Sequence, residues 1–158
     1  MRILGLDPGS QKTGFAVLDV LGGTHRAARF GVWRPRGRTR AERLAMLAES
    51  LAALIAETRP MLAAVEEPFV ARNARSALAL GEARGALLAE CARAKVPVRG
   101  FAPSAVKQAI TGYGRADKAQ IQFMVQRLLG LARAPAEDAA DALAVAWCCA
   151  AHCAQRVA

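Results

Sequence analysis

The apolar residues of this 158-residue chain follow two distinct periods. Short apolar runs bounded by turn residues predict strands, and longer segments with apolar residues every three or four positions predict helices. The strands are expected at 2–7, 14–20, 28–33, 62–66 and 96–101. The helices are expected at about 44–59, 73–94, 104–110, 118–129 and 136–155. Ser104 and Asp117 are the expected caps of the third and fourth helices, and Pro135 is expected in the first turn of the fifth.

The order of these elements predicts an α/β fold. Three antiparallel strands joined by tight turns come first, and two further strands then alternate with helices. We expect one mixed five-stranded sheet with helices on both faces, forming a single domain over residues 1–158. The run at 62–66 is almost wholly apolar, which is typical of a central parallel strand.

Four of the 13 acidic residues fall in apolar surroundings. Asp7 ends the first predicted strand, Glu66 ends the fourth, and Asp138 and Asp141 lie three apart at the start of the last helix. If the first and fourth strands are neighbours, their carboxyl ends meet in one crevice and the last helix can dock its pair over them. Taken singly, Asp138 also suits a helix N-terminus, Asp141 suits the surface, and Asp7 suits a turn.

Four clustered carboxylates need a positive counter-charge. Carboxylate oxygens with open water positions suit Mg²⁺ or Mn²⁺. Two such ions can clamp the attacking and leaving oxygens of a phosphodiester and lower the pKa of a water. We therefore predict two ions per site, held by the four acids, and hydrolysis by in-line displacement.

The charge of the chain points to a polyanionic partner. Its 22 Lys and Arg give a net charge of +9, although a basic protein of another kind remains an alternative. Lys118 lies near a predicted helix N-terminus, where a bound phosphate would offset the unfavourable helix dipole. Lys107 lies on the preceding short helix, and the two lysines can brace a scissile phosphate. Two ordinary surface lysines are the other interpretation.

The segment after Glu66 has the composition of a nucleic-acid contact. Phe69 lies beside Arg72, Asn73 and Arg75, and an aromatic ring in such a loop can stack on an unpaired base. A core phenylalanine is about equally compatible. The basic loop at 34–40 can touch phosphates or simply be solvated.

Other features narrow the class of protein. We expect no signal peptide, and no apolar stretch of the sequence is long enough for a bilayer, so we expect a cytoplasmic protein. The four cysteines lack a paired spacing and favour core packing in a reducing compartment. Gly81 and Gly85, four apart in a predicted helix, favour close helix packing within the chain or against a second subunit.

The motifs resemble those of RuvC-type Holliday-junction resolvases from residue 2 to about 150. The matching blocks are Leu4-Gly5-Leu6-Asp7-Pro8-Gly9-Ser10 with Thr13-Gly14; Ala64-Val65-Glu66 with Phe69; Asn73-Ala74-Arg75-Ser76-Ala77-Leu78; Val106-Lys107-Gln108; and Asp138-Ala139-Ala140-Asp141-Ala142-Leu143-Ala144. A single block is weak evidence for the family, whereas all of the blocks in this order are specific for it. Glu67 is a departure, because many relatives carry a neutral glutamine there.

The resemblance implies a ribonuclease-H-like fold and a bacterial homodimer. It implies Mg²⁺-dependent nicking of two opposed strands at a four-way DNA junction, after a branch-migration complex of RuvA- and RuvB-type proteins. The family's acidic catalytic positions match Asp7, Glu66, Asp138 and Asp141. Its catalytic and DNA-contacting lysines match Lys107 and Lys118, and its junction-probing aromatic residue matches Phe69.

Three other functions remain open at this stage. Asp7-Pro8-Gly9 followed by Gly14 also resembles the phosphate hairpin of actin-like ATPases, but a chain of this length lacks their second domain. A non-catalytic junction-binding protein would need no intact acids. A nuclease of the same fold that acts on RNA–DNA hybrids or RNA would keep the acids and differ in substrate.

Overall fold

The computed structural model describes residues 1–67 and 73–154. Its five strands form one sheet in the order β3-β2-β1-β4-β5. The strands are β1 (Arg2–Asp7), β2 (Thr13–Leu21), β3 (Thr24–Trp33), β4 (Leu62–Glu66) and β5 (Val98–Phe101). The β1–β2 and β2–β3 pairs are antiparallel, whereas β1–β4 and β4–β5 are parallel. The predicted mixed sheet is confirmed, with β4 in the interior and β5 at an edge.

Three strands have boundaries that differ from the sequence prediction, and β2 extends one residue further than expected at each end. β3 begins at Thr24 rather than at residue 28, because its pairing with β2 runs to the hairpin turn at Gly22 and Gly23. The register of this pair shifts between Val17 and Leu18, so Ala28 has no partner in the ladder. β5 begins at Val98, two residues later than expected.

The helices cover both faces of the sheet. They are α1 (Arg40–Thr58), α2 (Ala74–Arg93), α3 (Pro103–Thr111), α4 (Lys118–Leu128) and α5 (Glu137–Ala154). Residues Leu4, Leu6 and Val65 pack in one apolar core with α1 and α2. Their strand neighbours, among them Ile3 and Ala64, belong to a second core with α3, α4 and α5. The alternation of strand side chains thus fills two layers.

Helix starts agree only in part with the sequence. Asp117 caps α4 as predicted, in a capping box with Gln120. The prediction for Ser104 is wrong, because α3 begins at Pro103 and Ala102 occupies the cap position without a side-chain bond. The prediction for Pro135 is also wrong, because α5 begins at Glu137. The carbonyl of Pro135 instead accepts a hydrogen bond from Gln122 Nε2 of α4 at 2.5 Å.

Two glycines allow α5 to lie unusually close to the sheet. A Cβ on Gly5 of β1 would collide with the carbonyl oxygen of Ala142. A Cβ on Gly14 of β2 would collide with the carbonyl oxygen of Asp138. The absence of side chains at these two positions of the sheet therefore determines where the first two turns of α5 lie.

The outer face of α2 has no intrachain cover among the described residues. A Cβ at Gly81 or Gly85 would meet nothing within 4 Å, and Leu78 on the same face is 61% exposed. Among the described residues, nothing supports the packing of these glycines within the chain, and their packing against a second subunit stays a prediction.

The cysteines and the hydropathy of the helices agree with the sequence. All four cysteines are free, and Cys91, Cys148 and Cys149 are buried in the cores as predicted. Among the described helices, none combines the length and apolar character that a membrane crossing requires.

Candidate active site

The sheet places two of the predicted acids side by side. β1 and β4 are parallel neighbours, and Leu6 pairs with Val65. Asp7 and Glu66 are the next residues of their strands, so they lie at the same level at the carboxyl edge of the sheet. This is the crevice that the sequence predicted from the two strand ends.

Helix α5 brings the other two acids to the same edge. Gly14 is the cross-strand partner of Asp7, and the backbone of Asp138 rests directly on Gly14. Asp141 lies one turn further along the same helix face. The absence of a side chain at Gly14 thus determines the distance between the acids of α5 and the acids of the sheet.

The four acids line one open cavity of about 260 Å³. Its other charged lining residues are Glu67, Arg84 and Lys118. A second cavity of about 350 Å³ adjoins it, since Glu66, Asp141 and Lys118 line both, and Lys107 lies in this second one. The structure therefore brings together the four acids and both predicted lysines.

Crowding and burial disfavour the charged forms of these acids. Burial raises the pKa of Asp7 to about 8, with further contributions from Asp141, Glu66 and Asp138. Burial is also the main cause of the raised pKa values of Glu66 and Asp141. Lys118 opposes the rise at all three positions without cancelling it. The nearby lysines therefore do not compensate the negative charge of the ionised acids, and a further cation in the cavity would stabilise the ionised forms.

Two of the nearby cations already have acidic partners. Lys118 forms an ion pair with Glu137, the first residue of α5, and this hydrogen bond is the main cause of its raised pKa. Lys12, in the turn between β1 and β2, forms an ion pair with Asp138 at 2.6 Å. Both pairs join α5 to neighbouring parts of the site.

The chemistry of the donor set fits a divalent cation, but the side chains are not gathered around one point. Among residues 1–67 and 73–154, no group of three or more His, Cys, Asp or Glu side chains has the geometry of a ready metal site. The fit rests on the buried carboxylates with raised pKa values, which a cation would hold in the charged form. An ion bound by Asp138 would share that carboxylate with Lys12 or replace Lys12.

Sequence reasoning missed Lys12 and Arg84. Lys12 reaches Asp138 only because of the backbone conformation of the β1–β2 turn, and hydrophobic periodicity does not predict the conformation of a turn. Arg84 offered a weak signal as a cation in the middle of an alanine-rich helix, four residues after Leu80 on the face that lines the cavity.

The predicted DNA-contacting residues are only partly described. Phe69 and Arg72 lie outside the described residues. Asn73 caps α2 by accepting a hydrogen bond from the backbone N–H of Ser76, which gives it a structural role. Arg75 lines a third cavity, of about 320 Å³, on the other side of the β1–β2 turn.

Part of the basic loop at 34–40 lines this third cavity. Arg40 and Arg43 line it together with Arg75, while Gly9 and Ser10 of the β1–β2 turn separate it from the acids. Arg40 forms an ion pair with Glu82, and Arg43 donates a hydrogen bond to the carbonyl of Gly37 at 3.3 Å. A cationic surface thus continues past the acidic cavity.

Comparison with known proteins gives one consistent result. Residues 3–149 match the model of the family described as crossover junction endodeoxyribonuclease RuvC. The protein of that name from Halorhodospira halophila is 53% identical over 152 residues, covering 96% of this chain and 90% of the relative.

Solved structures agree with this match. The structure of Thermus thermophilus RuvC in complex with Holliday junction substrate has a TM-score of 0.92 and 34% identity, covering 99% of this chain and 96% of that one. The yeast mitochondrial Holliday junction resolvase has a TM-score of 0.70 at 12% identity, covering 93% of this chain and 76% of that one. The second similarity extends to the fold alone.

Proposed function

Because the chain belongs to the RuvC family of crossover junction endodeoxyribonucleases, we propose that it resolves four-way (Holliday) DNA junctions during recombination and repair. It does so by nicking two opposed strands symmetrically. The observation that carries the proposal is the cavity in which Asp7, Glu66, Asp138 and Asp141 lie together. The net charge of +9 and the cationic surface beside that cavity suit a nucleic acid substrate.

The reaction is hydrolysis of a phosphodiester. A water oxygen forms a bond to phosphorus, the bond to the leaving sugar oxygen breaks, and that oxygen takes up a proton. The four acids would hold Mg²⁺, or Mn²⁺, as two ions per site. When bound, such ions make a water more acidic and neutralise charge on the phosphate. Lys107 and Lys118, in the adjoining cavity, would hold the phosphate and offset its growing negative charge.

The junction would extend beyond the cavity onto neighbouring basic groups. Arg75, in the first turn of α2, lines the third cavity, where a DNA backbone phosphate could approach. Asn73 would orient this turn through its cap. Phe69 and Arg72 keep the roles that the sequence gives them, as a base-stacking aromatic residue and a nucleic-acid-binding residue.

Two symmetric cuts require two related sites, so we also propose a homodimer. The open glycine face of α2, with the exposed Leu78, offers a surface on which a second copy of the helix can pack closely. Delivery of the junction by RuvA- and RuvB-type proteins, and a cytoplasmic location, follow only from the sequence and stay predictions.

The deciding experiment incubates the protein with a labelled four-way DNA junction, a linear duplex and an RNA–DNA hybrid, each with Mg²⁺ and with a chelator. We expect paired nicks on the junction alone, and only with metal. Cutting of the hybrid instead would keep the site chemistry and change the substrate. Tight junction binding without cutting of any substrate would contradict the nuclease function.

Replacing Asp7 with Asn separates catalysis from binding. Asn keeps the shape of the side chain but cannot supply the anionic charge that a divalent ion needs. Asp7→Asn should bind the junction with an affinity close to that of the wild type and cut it at least about 100-fold more slowly. Gel-shift and single-turnover cleavage assays measure the two quantities. Equal loss of binding and cutting would show that Asp7 is structural.

A further inference from the structure

Arg84 is a cation of the acidic cavity with no function assigned so far. It lies in the middle of α2 and lines the cavity together with Asp7, Glu66 and Glu67. Within the described parts of the chain it forms no ion pair with any of these acids. By contrast, Lys118 and Lys12 are already paired with Glu137 and Asp138.

The Nε atom of Arg84 is itself buried and has no hydrogen-bond partner among the described residues. A buried guanidinium N–H that lacks a partner is energetically unfavourable, and more so because the group is charged. Arginine fits planar or tetrahedral oxyanions because its N–H groups form a rigid fork. The unpaired donor therefore points to an anionic ligand that enters the cavity.

The two sides of the cavity belong to different layers of the fold. α2 packs in the layer of Leu87 and Cys91, on one face of the sheet. α4, which carries Lys118, packs through Ile121 and Val125 on the opposite face. Arg84 and Lys118 therefore reach the carboxylates from opposite sides, and an anion between them would meet positive charge from both.

We propose that Arg84 binds a non-bridging oxygen of the scissile DNA phosphate, across the cavity from Lys118. The inference rests on the proposed nuclease function and adds a substrate contact to it. As the phosphate gains negative charge during attack by water, the guanidinium stabilises that charge more strongly than it stabilises the bound ground state. Arg84 also holds the phosphate against repulsion by the five acids of the cavity wall.

The test compares Arg84→Gln, Arg84→Lys and a matched control, Lys95→Gln. Lys95 is exposed just beyond the last turn of α2, so its replacement removes one positive charge at the far end of the same helix. Junction affinity is measured in a metal-free buffer, cleavage as a single-turnover rate with Mg²⁺ at saturating protein, and folding by thermal melting.

We expect Arg84→Gln to lower the single-turnover rate by about 100-fold or more. Its junction affinity should stay within about fivefold, since one phosphate contact among many is lost. Arg84→Lys should recover at least about a tenth of the wild-type rate, because it restores the charge without the fork. Lys95→Gln should cut like the wild type.

Three results would overturn the inference. Wild-type cutting by Arg84→Gln would remove Arg84 from the site while leaving the nuclease function intact. A parallel loss of melting temperature and rate, with no recovery in Arg84→Lys, would make Arg84 a packing residue. A wild-type protein that cuts no DNA at all would contradict the proposed function, and the contact by Arg84 with it.

Discussion

Asp7 destabilises the metal-free fold at neutral pH. In the folded state burial and neighbouring acids raise its pKa from 3.8 to about 8. The folded protein therefore keeps a proton that the unfolded chain releases, and stability falls as pH rises from about 4 to about 8. Asp7→Asn cannot ionise, so it should be more stable than the wild type above pH 8, by at most about 6 kcal/mol.

Denaturation of both proteins in chelator at pH 5 and pH 8.5 measures this difference. The gap between Asp7→Asn and the wild type should widen as pH rises, because the ionised form of Asp7 is the unfavourable one. Glu49→Gln, which removes an exposed carboxylate on α1, is the charge-matched control. Its free energy of unfolding should differ little from that of the wild type at either pH. A gap independent of pH would show that Asp7 titrates normally.

The same residues show what a sequence reveals about a site and what it leaves hidden. Asp7 and Glu66 stand out because a charge at the end of an apolar strand is unusual, and that contrast is visible in one dimension. Lys12 and Arg84 do not stand out, because their roles depend on the path of a turn and on the rotation of a helix. Such roles arise from tertiary structure and leave no local periodicity.

At the scale of elements, the position of α5 depends on a side chain that is missing. Gly14→Ala would place a methyl group against the carbonyl oxygen of Asp138. Because backbone cannot move aside as a flexible side chain can, the first turn of α5 should lift away from β2. We expect a loss of about 1–3 kcal/mol in the free energy of unfolding, and a larger loss of cutting than of junction binding.

Gly31→Ala on β3 is the control for that substitution. Its methyl group would meet the ring of Phe15 at 3.0 Å, and a ring can shift where a helix backbone cannot. Chemical denaturation and single-turnover cleavage of both variants make the comparison. Equal effects of the two substitutions on cleavage would show that the contact between α5 and Gly14 does not position the acids.

The elements that the sequence predicted well are those whose pattern is long or strongly apolar. β1, β4 and the stripes of α1 and α4 follow directly from hydrophobic spacing. The errors lie at boundaries, where competing contacts decide. Ser104 has the right chemistry for a cap, but Pro103 already has the backbone angle of a first helical residue. Pro135 lies before α5, and its carbonyl accepts a hydrogen bond from Gln122 of α4.

At the scale of the whole molecule, strand order follows from general rules of connection. Hairpins join β1, β2 and β3, and crossover helices place β4 and β5 parallel to β1. The sequence left the adjacency of β1 and β4 as a condition, and the sheet meets that condition, which brings Asp7 beside Glu66. The outer face of α2 could not be assigned, because a pair of glycines in a helix reads the same whether the facing surface belongs to this chain or to another.

That face makes the proposed dimer testable. In an isolated chain Gly85→Ala should stabilise α2 by about 1 kcal/mol, since the new methyl group meets nothing within 4 Å. If a partner helix packs there, the methyl group should weaken the dimer, and Gly85→Glu should yield a folded monomer. Ala56→Glu, on the exposed side of α1, should sediment like the wild type.

Sedimentation velocity measures the oligomeric state of each variant, and junction assays should show single, unpaired nicks for the monomer. A monomeric wild type, or a Gly85→Glu variant that stays dimeric, would contradict this interface.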